Sequence, residues 1–197
     1  MLFRSADLES SGLDAKELAS LVKELEAQGA SYEGAEASFE LLVARHRPDY
    51  LAPFSIVDFT VIVEQHRGRP DRAEATVRVE VAGEQLHTAA DGNGPVNALD
   101  RALRKALGAF YPQLDAVHLV DYKVRILDSG SATGAKTRVV IESAAGGSTW
   151  STMGVGENII AASATALADS LEYALRLRGG DVQRRSERSA AAGDRRR

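Results

Sequence analysis

Apolar positions follow a helical period at the start of the chain and a strand period after it. In DAKELASLVKELEAQG, Leu18, Leu21, Val22 and Leu25 recur at i, i+3, i+4 and i+7 and predict an amphipathic helix. Asp14 is placed to cap it and Gly29 to end it. In SYEGAEASFELLVARHRP, Tyr32, Ala35, Phe39 and Leu42 share one face of a second helix, with Ser31 as its expected cap and Pro48 as its stop. Each helix has a single apolar stripe, so the pair forms a hairpin that needs another surface to cover it.

Beyond the Pro-marked joint RPDYLAPF the period changes to two. SIVDFTVIVEQ sets Ile56, Asp58, Thr60 and Ile62 against Val57, Phe59, Val61 and Val63. HRGRPD reads as a turn. AEATVRVEVAG sets Thr76, Arg78 and Glu80 against Val77, Val79 and Val81; GE turns the chain, and QLHTAA makes a third strand. Connections this short require antiparallel neighbours. GNGPVNALDRALRKAL then predicts a helix with Pro95 in its first turn. Leu99, Leu103, Ala106, Leu107 and Phe110 make its buried face.

The same series returns once. HLVDYKVRILD repeats SIVDFTVIVEQ, with Val120-Asp121-Tyr122 in the place of Val57-Asp58-Phe59. AKTRVVIES repeats AEATVRVEV, AAGG turns the chain, and STWSTMG is a third strand. GVGENIIAASATALADSLEYAL supplies a second helix behind a second Gly-x-Gly, at Gly154 and Gly156. The expected fold class is α+β: an N-terminal helical hairpin, then a tandem βββα duplication with two antiparallel three-stranded sheets and two helices. The expected divisions are a helical linker over 1–49, a βββα-βββα domain over 54–177 and a disordered Arg-rich tail over 178–197.

Composition narrows the chemistry. The net charge is −4, yet the stretch from Arg178 onward holds seven arginines against three acids. Its +4 leaves −8 on the rest, and an acidic body does not suit nucleic acid. With one Val and no aromatic residue, the tail cannot offset its own ordering entropy. No apolar run reaches the roughly 20 residues of a membrane span, so no membrane partner is expected. MLFRSADLES has no apolar core of the signal-peptide kind, and there are no cysteines; both fit a cytoplasmic protein.

The two glycine loops invite comparison with phosphate-binding turns. A dinucleotide fingerprint needs G-x-G-x-x-G/A inside a parallel βαβ unit, and here the sixth position is Asn97 behind an antiparallel meander. No G-x-x-x-x-G-K-[ST] occurs. The loops read instead as tight strand-to-helix turns whose glycines need positive φ. Their helix N-termini still offer free N–H groups to an anion. Metal and catalytic patterns are absent too. His46, His66, His87 and His118 are far apart, with no H-x-H or H-x₃-H, and read as surface or strand-edge residues. Asp58 and Asp121 hold equivalent repeat positions, which favours a repeated structural role over acid–base work.

GNGPVNALDRAL, VDYKVRIL…GAKTRVVIE and GVGENIIAAS, in this order and spacing, resemble the C-terminal regulatory domain of the α-isopropylmalate synthase and citramalate synthase family. The upstream YEGAEASFELL leans toward the citramalate branch. The likeness covers nearly all of residues 13–177. It implies an enzyme that condenses acetyl-CoA with a 2-oxo acid in a divalent-metal TIM barrel. It also implies a duplicated βββα domain that dimerises and binds the pathway's end product, leucine or isoleucine, to inhibit the barrel at a distance. A barrel needs roughly 200 residues, and these residues are already assigned. No catalytic residue, metal ligand or cofactor is therefore expected in this chain; the divalent metal would belong to the barrel.

The resemblance also implies an effector pocket. It maps onto Gly94, Val96 and Asn97 from the first loop and onto Leu119, Tyr122 and Ile126 from the first strand of the second repeat. From SATGAK it maps Thr133 and Ala135, and from the pseudo-equivalent turn Asn158 and Ile159. Leu119, Tyr122 and Ile126 depart from strict alternation, so a bulge or a strand end must be allowed there. The expected partners are a branched-chain amino acid, isoleucine ahead of leucine, a second copy of the chain, and the catalytic barrel. A small complete enzyme and a ligand-free dimerisation module remain the alternatives.

Overall fold

The computed structural model describes residues 14–127 and 134–194, with side chains described as far as Leu177. Two helices open it, α1 (Ala15–Ala27) and α2 (Glu36–Arg45). Asp14 caps α1 as expected: its carboxylate accepts the Lys16 and Glu17 amides, and Glu17 returns the bond to the Asp14 amide. α2 departs from expectation. Its N-cap is Ala35, not Ser31, and no side chain caps it. The Ser31 amide is drawn instead to the Met153 sulfur, 3.3 Å away. The deeply buried side of α2 is Ala37, Leu41 and Ala44, while Phe39 and Leu42 are half-buried and Tyr32 meets Phe39 edge to face.

Then come β1 (Ser55–Glu64), β2 (Arg72–Val81), β3 (Glu84–Gly92) and α3 (Pro95–Gly108). A short 3-10 turn, Pro112–Ala116, leads to β4 (His118–Ile126), β5 (Thr137–Ala145), β6 (Ser148–Gly156) and α4 (Ile159–Asp194). The strands form two antiparallel three-stranded sheets, β1-β2-β3 and β4-β5-β6. The expected α+β duplication is therefore the observed fold. The expectation of a disordered tail over 178–197 lies outside the residues whose side chains are described.

The second hairpin of each unit closes in two residues at positive φ, Ala82-Gly83 and Gly146-Gly147. That is the turn whose twist matches paired strands. The first strand of each unit carries a bulge at the same repeat position. Register shifts between Ile56 and Asp58 in β1 and between Leu119 and Asp121 in β4, so Val57 and Val120 are the extra residues. The simple alternation expected for β1 is corrected by this bulge. Ile56 pairs with Val79 and Phe59 with Val77, on the same inner face.

Each unit covers its sheet with its own helix. Leu99, Leu103 and Leu107 of α3 are fully buried, as are Val77 and Val79 of β2. In the second unit Leu167 and Leu171 of α4 join Val139 and Ile141 of β5. All belong to one apolar core running through both units, each such side chain contributing about 1.5–3 kcal/mol. Polar ties repeat with the fold. Thr88 donates to the Ala102 carbonyl at 2.8 Å, and Thr152, 64 residues later, donates to the Ala166 carbonyl at 2.7 Å. α3 and α4 lie over the second and third strands of their sheets. The inner faces of β1 and β4 consequently stay open at their edges.

Candidate ligand site

On β4 the bulge does what the spacing of the candidate residues requires. With Val120 extra, Leu119 pairs with Ser143, Tyr122 with Ile141 and Ile126 with Thr137. Residues of β5 that face the helix, Ser143 and Ile141, are completely buried. Leu119, Tyr122 and Ile126 therefore share the inner face of β4, and Val124 belongs with them. α4 packs mainly on β5 and β6, and Leu119 is 37% exposed, Val124 41% and Ile126 61%. An apolar face turned inward but left uncovered is unusual for a single chain.

Tyr122 connects this face to α4. Its hydroxyl lies 2.9 Å from the Ser163 hydroxyl, and Ser163 lies 2.7 Å from the Ile159 carbonyl. The one Ser163 proton goes to Ile159, so Tyr122 is the donor to Ser163. Ser163 is fully buried. It was not among the residues expected from sequence; one hydroxyl four places after Ile159 in an apolar helix was its only signal. Ile159 itself is 40% exposed at the first turn of α4. Tyr122, Ile159 and Ser163 are thus one contiguous group.

The two helix N-termini differ. Asn158 sits where α4 begins, and its side-chain oxygen accepts the Ile160 and Ala161 amides at 2.8 and 3.2 Å. Those donors are already used. At α3 the N-cap is Gly94, which has no side chain to offer, and Pro95 follows. The amides of Val96 and Asn97 receive no side-chain cap. The Asn97 side-chain oxygen instead accepts the Asn93 amide at 3.3 Å, closing the loop. Among the described residues, no hydrogen bond joins Gly94, Val96 or Asn97 to β4. Ala135 is buried just before β5, and Thr133 lies outside the described residues.

The glycines of both loops are not held at positive φ, which corrects the expectation for them; those that are include Gly29, Gly83 and Gly147. What Gly92 and Gly154 supply is room. A Cβ on Gly92 would collide with the Ala98 backbone, and one on Gly154 with the Ala162 carbonyl. Gly94 and Gly156 have no such constraint. The loops also align differently from their Gly-x-Gly pairs: Ile159, not Glu157, opens its helix where Pro95 opens the first.

All four histidines are exposed. Among the described residues no group of three or more His, Asp or Glu is placed to hold a metal ion. Asp58 faces Arg78 on one sheet at 3.4 Å, and Asp121 faces Lys123 on the other at 2.5 Å. Bonds from Lys123 and from the Tyr122 amide hold the Asp121 carboxyl below its ordinary value. Each aspartate is a surface ion-pair partner. No helix of the described residues is long and apolar enough to cross a membrane.

Comparison with known proteins bears on the family. The model of the LeuA allosteric (dimerisation) domain matches residues 33–175. The chain is 54% identical over 155 residues to an (R)-citramalate synthase of Geobacter sulfurreducens, covering 78% of this chain and 29% of that protein. It is 46% identical over 170 residues to an (R)-citramalate synthase of Aquifex aeolicus, covering 86% and 32%. A 2-isopropylmalate synthase of Aquifex aeolicus is 37% identical over 114 residues, covering 58% and 20%. The chain spans about a third or less of the length of these curated relatives.

Proposed function

The chain belongs to the LeuA allosteric (dimerisation) domain family, and from that premise we propose that it is the effector-sensing, dimerising C-terminal part of a citramalate synthase. Condensation of acetyl-CoA with pyruvate, and the divalent metal it uses, would reside in a barrel outside these residues. Here the work is recognition. A branched-chain amino acid needs an apolar surface for its side chain, donors for its carboxylate and acceptors for its ammonium.

The inner face of β4 is the observation that carries this reading. Leu119, Val124 and Ile126 are left 37%, 41% and 61% exposed beside the Tyr122–Ser163–Ile159 group. A second copy of the chain would cover this edge, and the ligand's side chain would share the space so enclosed. The uncapped Val96 and Asn97 amides at α3, brought by either copy, suit the carboxylate. Ala135, buried beside the start of β5, would border the same pocket, and Thr133 is assigned to it by the family resemblance alone. Asn158 would contribute by holding the first turn of α4, since its side chain is occupied there. Isoleucine is the ligand favoured, because the citramalate synthases matched are the more similar relatives.

Thermal denaturation of the chain in isoleucine, leucine, valine or glycine tests this. A ligand present at a hundred times its dissociation constant stabilises by about 2.7 kcal/mol. Isoleucine should raise the melting temperature most. A larger shift with leucine moves the chain to the isopropylmalate branch, a reading favoured by the 37% identity to such a synthase. No shift with any of the three branched amino acids refutes effector binding.

A further inference from the structure

The hairpin α1–α2 is fastened to the second βββα unit by contacts that no local pattern encodes. Arg138 of β5 donates to the Gly29 and Ala30 carbonyls at the end of α1, at 2.7 and 3.2 Å. Ser38 of α2 accepts the Met153 amide of β6 at 2.9 Å. Tyr173 of α4 donates to Glu40 at 2.8 Å. One further tie is ionic. One terminal nitrogen of Arg45, at the end of α2, bridges Asp169 at 2.5 Å and Glu172 at 2.6 Å, both on α4. The Tyr50 hydroxyl donates to the other Glu172 oxygen at 2.7 Å.

This triad has the properties of a two-position contact. Both carboxylates are buried while the Arg45 side chain is 37% exposed. The group carries one positive and two negative charges. If the hairpin withdraws, two carboxylates are left inside the protein without their cation. There is space for such a movement on both sides. Arg45 and Asp169 line one cleft of about 570 Å³ between the hairpin and β6, with Tyr32, Leu42 and Met153. They also line a second of about 550 Å³ between β1 and α4, with Phe54, Phe59 and Ala164.

The triad and the candidate ligand group stand on one rod. Ile159 and Ser163 are in the first two turns of α4, and Asp169 follows Ser163 by six residues, about 9 Å along the axis. Resting on the effector reading above, we infer that Arg45 is a positioning residue that couples ligand occupancy to the hairpin. A ligand seated against Tyr122 and Ile159 biases the position of α4, and the Arg45–Asp169–Glu172 clasp passes that bias to α2.

Hydrogen–deuterium exchange of the α1 and α2 amides, with and without saturating isoleucine, tests the coupling in this chain. In the wild type the ligand should change those exchange rates about fivefold or more, the lower end of ordinary coupling. In Arg45→Met the chain should bind isoleucine within about twofold of wild type while the hairpin no longer responds. Arg45→Lys should restore the response, because a single nitrogen meets both carboxylates. Should Arg45→Met lose its cooperative melt, Asp169→Asn replaces it, with a reduced response expected. A merely structural clasp would speed hairpin exchange equally with and without ligand and leave their ratio intact. That result, or a wild-type hairpin indifferent to bound isoleucine, overturns the inference alone. Absence of any binding to the wild type overturns the effector reading and this coupling with it.

Discussion

Alanine at position 154 would put a methyl group into the Ala162 carbonyl, with the Thr165 Cβ 3.1 Å away. The obstacle is helix backbone, which cannot rotate aside as a side chain can. Overpacking typically costs about 1–3 kcal/mol, and a backbone obstacle places Gly154→Ala near about 3 kcal/mol. At about 2–4 °C per kcal/mol for a chain of this size, the melting temperature should fall by roughly 6–12 °C. Gly92→Ala faces the Ala98 backbone and belongs to the same class. Gly94→Ala is the control. Its φ of −171° is extended backbone, and nothing lies within 4 Å of its Cβ position. Losing glycine's freedom in the unfolded chain offsets alanine's poorer fit at an N-cap, so that variant should stay within about 1 kcal/mol of the wild type. Circular dichroism melts at one fixed protein concentration give the comparison, since dimerisation makes melting concentration-dependent. Gly154→Ala melting with the wild type, or Gly94→Ala falling as far, would refute the close-approach account of these loops.

Trp150→Phe removes the buried donor that reaches the Ser170 carbonyl and hydroxyl at 3.2 and 3.0 Å. It should cost about 1–3 kcal/mol in urea unfolding. Asp100 is held above its ordinary value of 3.8, burial outweighing the pull of Arg104. Its native state therefore binds the proton more tightly than the unfolded chain, and this group's contribution to stability declines as pH rises from 3.8 through the raised value. Asp100→Asn should remove that decline, and urea midpoints across this window that fall in parallel for both proteins would contradict it. Val124→Asp places a charge on the open inner face of β4 and should shift sedimentation from dimer toward the 21.1 kDa monomer.

Features set by neighbouring residues could be read directly from sequence. Alternation in AEATVRVEV marks the inner valines of β2, and the three-residue spacing of Leu119 and Tyr122 leaves a bulge or a strand end open, of which the structure has the bulge, at Val120. Gly-x-Gly was harder, because positive φ and close approach both select glycine; only the position of Ala162 decides for Gly154. Ser31 has the chemistry of a cap, yet α2 begins at Glu36 and the Ser31 amide turns to Met153, 122 residues away. The Arg45–Asp169 pair spans 124 residues. Such contacts depend on how the hairpin lies against β6 and α4, and periodicity carries no trace of it. Ser163 escaped notice for the same reason: its role exists only once β4 brings Tyr122 beside it.

Titration calorimetry of isoleucine into the folded dimer, alongside Tyr122→Ala, tests the central claim most directly. Saturable binding to the wild type, lost in a Tyr122→Ala protein that remains a folded dimer, is the result expected of an effector site on the inner face of β4. A folded wild-type dimer that takes up no isoleucine, or a Tyr122→Ala protein that binds as the wild type does, would contradict it.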